Sequence, residues 1–589
     1  MSKFKISVNS ISTVFFGLAV SVFFVVFYQY HLHYQEQLQM FLFTSEYFGE
    51  LMSRPGGLAD YIGTFLTQFY YFSWAGAIII AFLLVGLQQL VAKLSAKLSS
   101  NSLFYPLTFI PSMLLWALLC DENFLLSAVV SILLILLFVR FFLLIKNPDL
   151  RVIVSLLLLP VLYWFAGGVF WVFAVFCVLF EWKYFKQFSL WQWGFLLAGS
   201  LLLLFLTPVF AKSYLHYPLS RLWWGISYYR YPVVSPYPLL AVWLSVVLIP
   251  FLLIFAPTGL KKTAKLLVTI FQMVLFIVFC YYSLHFSADL NKEEIMAYDY
   301  NARIQNWDEI IKMANQKDPV SPLSVACLNL ALNKTGTMGD AMFRYFQNGT
   351  EGLLPGFQRD FTSPFISGEI YYHLGLINTS MQFAFEAMEA IPDYKKSSRA
   401  IKRMAEVNLL NQEYGVATKY LNLLCNTLFY NEWATETLRC IKDEKLIEQN
   451  IEWSTLRKYR LTEDFLSSED EKDQMLGLLF VHCPENKMAY EYLMAYTLLT
   501  KDLNHFVQYF PLGRNLGYKV IPAHYQEALL YFWAATHEGN LTQLPWSMLP
   551  SVQQYFQSYI NINASGKGAE PTIKKSFSQT YWYYLDYRK

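Results

Sequence analysis

Apolar residues in the first half of the chain come in long unbroken runs, whereas in the second half they recur at helical spacing among charged and polar positions. A helix crosses a hydrocarbon core of about 30 Å with roughly 20 residues, at about 1.5 Å per residue. Runs of that length predict spans near 10–29, 73–92, 103–119, 124–145, 192–210, 238–256 and 266–286. A further apolar stretch, 152–180, contains Pro160 and the pair Gly167 and Gly168, and fits either one long tilted helix or two short helices meeting at the glycines. After Ser287 no such run occurs.

The loop charges choose between the two. If 152–180 is a hairpin, Lys3, Lys5, Lys93, Lys97, Lys146, Arg151, Lys183, Lys186, Lys261, Lys262 and Lys265 share one side, with Arg54, Lys212, Arg221 and Arg230 on the other. A single crossing gives a much poorer split under the positive-inside rule. Nine crossings are therefore expected, with the amino terminus inside and everything after Phe286 outside, in the periplasm if the cell is Gram-negative. The first span lacks a small-residue cleavage site after it and reads as an uncleaved anchor.

This topology gives the outer loops their interest. The first, residues 31–72, is long and patterned: Glu46, Glu50 and Arg54 recur at i, i+4 and i+8, and Pro55, Gly56 and Gly57 end that helix. Leu58 to Tyr71 then mixes large apolar residues with Asp60, Thr64 and Gln68, as in a helix lying at a membrane interface. The second loop is only Asp121, Glu122 and Asn123, and carboxylates so near hydrocarbon must face water, protein or a ligand. The third contains SRLWWGISYYRYP, which sets Arg221 and Arg230 among Trp223, Trp224, Tyr228, Tyr229 and Tyr231. Arginine beside aromatic rings suits a lipid-linked phosphate and a stacked sugar, and it equally suits an ordinary aromatic belt with snorkelling arginines.

Residues 1–290 resemble, in architecture, the GT-C superfamily of integral-membrane glycosyltransferases: many spans, a long first outer loop with two surface helices, a short acidic second loop, and a soluble domain at the end. The resemblance implies a polyprenyl-phosphate sugar as donor and outer-loop acids acting as general base or as ligands of a divalent metal ion. By position the acids are Glu46, Glu50, Asp60, Asp121 and Glu122, with Arg54, Arg221, Arg230, Trp223 and Trp224 available to phosphate and sugar. Where family members carry an acidic motif just after the first span, this chain has YQYHLHYQEQ, with Glu36 alone. The chain as a whole is also similar to Bacteroidota membrane proteins of unknown activity that end in a helical-repeat domain.

From about Asn291 to Asn540 helix pairs recur, as in NKTGTMGDAMFRY, HLGLINTSMQFAFEAM, LLNQEYGVATKYLNLL and LLTKDLNHFVQYF. Small residues face large ones in the second helices: Ala341 and Tyr345, Ser380 and Ala384, Ala417 and Leu421. These resemble degenerate tetratricopeptide repeats, which implies an α-solenoid with a concave face for a protein or peptide. NINASGKGAEP is a linker, and the aromatic tail SQTYWYYLDYRK either packs on the last repeat or stacks on carbohydrate. The predicted protein is thus all-α: a polytopic bundle over 1–286, repeats over 287–540, and a linker with tail over 541–589.

Composition narrows the chemistry. With 55% hydrophobic and 15% charged residues and a net charge of +2, the chain suits a bilayer and offers nothing to nucleic acid. Its seven cysteines form no CxxC pair, and His31 and His33 lack a third ligand, so no metal site is assigned from the residues. Phosphate-loop, dinucleotide and common hydrolase motifs are absent, and span interiors nearly free of ionisable groups argue against coupled transport. Two readings stand: a glycosyltransferase whose repeats present an acceptor, and a catalytically inert anchor whose repeats assemble envelope partners.

Overall fold

The computed structural model describes all residues except 1–7, 100–101, 231–236, 256–261, 359, 361, 394, 462–470, 538–539, 542, 565–569 and 589. Lys3, Lys5, Tyr231, Lys261 and the middle of the expected linker lie outside the described residues. All regular structure among the described residues is helical, apart from one isolated antiparallel bridge between Phe124 and Tyr229. The chain forms two units: 1–293 together with 392–398 and 426–431, and 294–391 with 399–425 and 432–589. The aromatic tail therefore belongs to the second unit, and the boundary falls seven residues beyond the expected 286.

Five helices of the first unit are long and apolar enough to cross a membrane: Asn9–Phe27, Ser73–Leu98, Pro148–Phe185, Leu190–Lys212 and Leu266–Ser287. Three more apolar helices are shorter, Tyr105–Leu118, Leu126–Phe142 and Tyr237–Leu253. At 17 residues, Leu126–Phe142 spans about 26 Å, a little short of a typical core. The expected span 103–119 opens as a 3₁₀ segment carrying Pro106, which cannot donate to an α-helical ladder.

Pro148–Phe185 is continuous in composition but reverses direction. Arg151, in the first turn of one arm, donates to both oxygens of Glu181 at the far end of the other, Nη2 to Oε2 at 3.1 Å, so the arms are antiparallel. Gly167 makes the bend with φ of +80°, a region that favours glycine, while a Cβ on Gly168 would meet the carbonyl oxygens of Trp223 and Trp224 at 2.4 and 2.6 Å. At the Arg151 end Asp149 accepts from Gln192 at 2.6 Å, and Lys97 lies 5.8 Å over Tyr184. At the glycine end Tyr163 donates to Leu222 O at 3.0 Å and Gly56 N–H to Trp164 O at 2.9 Å, gathering loops 31–72 and 211–238 around the bend.

The first loop holds the helices expected of it, Ser45–Met52 and Gly57–Thr67. Thr44 caps the former, accepting from Tyr47 N–H at 3.2 Å. The latter does not lie loosely at an interface. Its small and polar face, including Ala59, Asp60, Gly63, Thr64 and Thr67, is buried, and its large apolar residues are only half-buried. A Cβ on Gly63 would come within 2.7 Å of Ser127 N, so this helix touches backbone at the start of Leu126–Phe142.

The second unit contains the expected helix pairs Ser363–Leu374 with Ile377–Ala390, Ser398–Leu410 with Tyr414–Leu424, and Lys487–Leu499 with Leu503–Tyr509. In the first pair Ser380 Oγ donates to Gly368 O at 2.7 Å, and the Tyr371 and Phe383 rings stack at 5.4 Å: the small residue admits the partner backbone and the large ones fill around it. The earliest copy departs from the pattern, since Pro322–Lys334 is followed only by Met338–Ala341 and a short 3₁₀ turn. In the tail Tyr581 and Trp582 are wholly buried and Trp582 Nε1 donates to Glu527 O at 2.8 Å, so these rings pack inward and are not free to stack on carbohydrate.

Candidate functional site

The polar residues of the three loops expected outside assemble into two clusters within the first unit. The first grows from the turn after Leu118. Asn123 N–H donates to Asp121 Oδ1 at 2.9 Å, shaping the turn, and the Phe124–Tyr229 bridge fixes it against the third loop, with Arg230 N–H on Asn123 O at 2.8 Å and Leu125 N–H on Tyr228 O at 3.0 Å. This register carries the Tyr229 hydroxyl to Asp121 Oδ2, to which it donates. The Glu122 carbonyl accepts from Arg230 Nη1 at 2.5 Å and Gln35 Nε2 at 2.7 Å, while the Glu122 carboxylate takes Lys292 Nζ at 2.5 Å.

Beside these groups lies a cavity of about 650 Å³, lined by Asp121, Glu122, Asn123, Tyr229, Asp289 and Lys292 and walled by apolar side chains such as Leu118 and Phe286. Its electrostatics follow from burial and pairing. Burial, together with Asp121, raises the Tyr229 hydroxyl's pKa, which keeps it a donor. Lys292 is raised as well: burial, the largest influence, opposes its charge, but its hydrogen bond to Glu122 together with the charges of Glu122, Asp121 and Asp289 outweighs that. Burial pushes Arg230 down to about 10, still fully charged at neutral pH, and brings His31 down to about 4, so His31 is a neutral imidazole. Behind the cavity, Glu293 accepts the N–H groups of Tyr30 at 2.7 Å and His31 at 3.0 Å, closing the start of helix Gln29–Gln37 from far along the chain.

The second cluster centres on Asp60, which is completely buried. One of its oxygens meets Lys395 Nζ at 2.7 Å and the other Arg54 Nη2 at 3.3 Å. Burial, the largest influence, would raise its pKa, but Lys395 and Arg54 together hold it below the usual carboxylate range. Arg54 also donates to Asp393 O at 3.4 Å, and Asp393 takes both terminal nitrogens of Arg221, at 3.0 and 2.7 Å. The adjoining cavity, lined by Tyr47, Glu50, Arg54, Asp393 and Lys395 among others, measures about 40 Å³. That is room for a few waters and not for a sugar.

The ten expected site residues therefore do not share one pocket. Asp121, Glu122 and Arg230 come together; Asp60, Arg54 and Arg221 form a separate ion-pair chain, with Glu50 at its rim. Glu46 is exposed on its helix. Arg54 lies beyond the end of helix Ser45–Met52 and pairs with Asp60, so the helical stripe with Glu50 does not form. Trp223 and Trp224 line a third cavity, of about 540 Å³, with Phe170, Trp171, Phe205 and Leu240; its wall is apolar, and it holds neither arginine. Among the described residues no three His, Cys, Asp or Glu side chains gather as metal ligands. Asp60 spends both oxygens on cations and Glu122 faces an ammonium, so the residues present do not fit the divalent ion that the resemblance implied.

Lys292, Glu293, Asp393 and Lys395 were not anticipated, and Tyr229 was anticipated only as an aromatic neighbour of the third loop's arginines. Asp289, Lys292 and Glu293 follow directly on the last apolar run, a charged border like the one that drew attention to Asp121 and Glu122. Nothing in the sequence marks Asp393 or Lys395.

A family model described as a family of unknown function, DUF6057, matches residues 3–588. The chain belongs to that family. The DUF6057 match runs through both units, so the apolar bundle and the helix pairs are parts of one family chain. No curated protein and no solved structure matches it.

Proposed function

We propose that this DUF6057 protein is a multi-pass protein of the cell envelope that transfers a sugar from a polyprenyl-phosphate donor to an extracytoplasmic acceptor. The observation that carries this reading is the 650 Å³ cavity, where two carboxylates, a tyrosine hydroxyl and an ammonium meet an apolar wall. An amphiphile with a phosphate and a hydroxylated head matches that lining. Asp121 would take the acceptor proton as the glycosidic bond forms, and Lys292 would stabilise the departing phosphate. Asp60, Glu46 and Glu50 have no part in the chemistry on this reading.

The proposed topology has nine crossings, with the hairpin counted as two and the described helix pairs of the second unit as a tetratricopeptide-like array outside the cytoplasm. It is supported by the antiparallel arms joined through Arg151 and Glu181 and by the clustering of all three outer loops at the opposite end. Purified protein incubated with radiolabelled lipid-phosphate sugars and envelope extract should transfer label, and the variant Asp121→Asn with Glu122→Gln should lose it by about 10²- to 10⁴-fold, as for a missing general base. No transfer by either form across a broad donor panel ends this reading.

One observation favours the alternative of a non-enzymatic anchor for envelope assembly. Asp60, Arg54 and Arg221 are consumed in buried or half-buried pairs with Lys395 and Asp393, an arrangement suited to holding segments together and not to turning over a substrate. The same failed assay would favour it.

A further inference from the structure

Segment 426–431, sequence NTLFYN, belongs to the first unit although it lies far from the apolar runs. It is held at three points: Asn426 O accepts Phe43 N–H at 2.9 Å, the Tyr430 hydroxyl donates to buried Glu36 at 3.1 Å, and Phe429 lies flat on Tyr71, ring centroids 4.9 Å apart and planes 7° from parallel. Phe429 also meets Phe72 edge-on at 5.5 Å, and Phe72 lies beside Trp74, centroids 6.2 Å apart. Trp74 sits in the first turn of Ser73–Leu98, a helix long and apolar enough to cross a membrane.

That helix presents an exposed stripe at i, i+4 and i+8: Trp74 is 59% exposed, Ile78 56% and Phe82 76%. The aromatic platform of Tyr71, Phe72 and Phe429 continues the stripe at the start of the helix, and Leu428, 46% exposed, immediately precedes Phe429 in the chain. The segment carries no charge. Exposed Tyr71, Phe72, Trp74 and Leu428, with Phe429 half-buried among them, at the level where a span enters hydrocarbon have the composition of a membrane–water boundary. We propose that Leu428 and Phe429 insert into the bilayer interface, so that a segment from late in the chain is a second point of lipid contact beside the first residues of Ser73–Leu98. The occupant is bilayer lipid, recognised by apolar area and not by head-group charge.

The test uses the full chain in lipid nanodiscs, with the photoreactive p-benzoylphenylalanine in place of Leu428, of Phe82 or of Ile451. Ile451 is exposed in the second unit and serves as the solvent control. After irradiation and digestion, lipid adducts are expected on the peptides carrying positions 428 and 82, at least ten times more abundant than on that carrying 451. Adducts at 82 with none above control at 428 overturn the proposal while leaving the helix in lipid. Adducts at neither overturn it together with the crossing by Ser73–Leu98. In cells, a protein adduct at 428 in place of lipid would also overturn it. None of these outcomes depends on sugar transfer.

Discussion

At Asp60 a carboxylate with no exposure to solvent is balanced by two cations, and removing it strands both. Asp60→Asn is expected to destabilise the protein by about 3–5 kcal/mol, as for other broken buried pairs, measured as a fall in the thermal midpoint in nanodiscs. Because the pKa of Asp60 is depressed in the folded state, its contribution is present above the ordinary carboxylate pKa and is lost as pH falls through the lower folded value. Glu293 behaves oppositely. Burial outweighs its two backbone donors and raises it from 4.5 to about 7, so its contribution is full below about 4.5 and is lost as pH rises through about 7. Glu293→Gln should flatten the decline in thermal midpoint between pH 5 and 8, and an unchanged slope would show that another group is responsible. Asp60 was legible as a polar position on an interfacial helix and as a candidate acid, but Lys395 lies 335 residues away and the sequence offers no rule that joins them.

Among the elements, the hairpin of Pro148–Phe185 was the most legible, because two glycines and the distribution of lysines agreed about a reversal that hydropathy alone leaves as one long run. Its latch was half-legible: Arg151 was counted as a loop charge, and only the fold shows that it closes on Glu181. Arg151→Ala should lower the yield of folded protein, and the exchange Arg151→Glu with Glu181→Arg should restore part of it, read by size-exclusion chromatography in detergent. The helix Gly57–Thr67 was legible in existence and not in orientation. Its mixed pattern suggested a membrane interface, yet the small side chains face inward because the helix sits against the backbone at Ser127. Gly63→Ala is therefore expected to cost about 1–3 kcal/mol by overpacking, where the same change on an exposed helix face would be slightly stabilising. A thermal midpoint at or above that of the parent would refute that approach distance.

For the molecule as a whole, the pattern announced an apolar bundle, helix pairs and a separate linker with tail, whereas the chain forms two units. What the pattern concealed is that segments 392–398 and 426–431 belong to the first unit, because ion pairing and ring stacking leave no periodic trace. The tail was legible as aromatic, with packing on the last repeat expected beside stacking on carbohydrate, and its rings are buried. Deleting residues 570–589 removes Tyr581 and Trp582 from a fully buried position and should leave the second unit open to limited proteolysis at low protease concentrations that spare the full chain. The membership of 392–398 in the first unit also has a bearing on synthesis. A ribosome adding about 5–20 residues per second needs roughly 20–70 s to travel from Asp60 to Lys395. Through that interval the nascent bundle waits with its central acid balanced by Arg54 alone, and its last apolar segment is translated long before it can close.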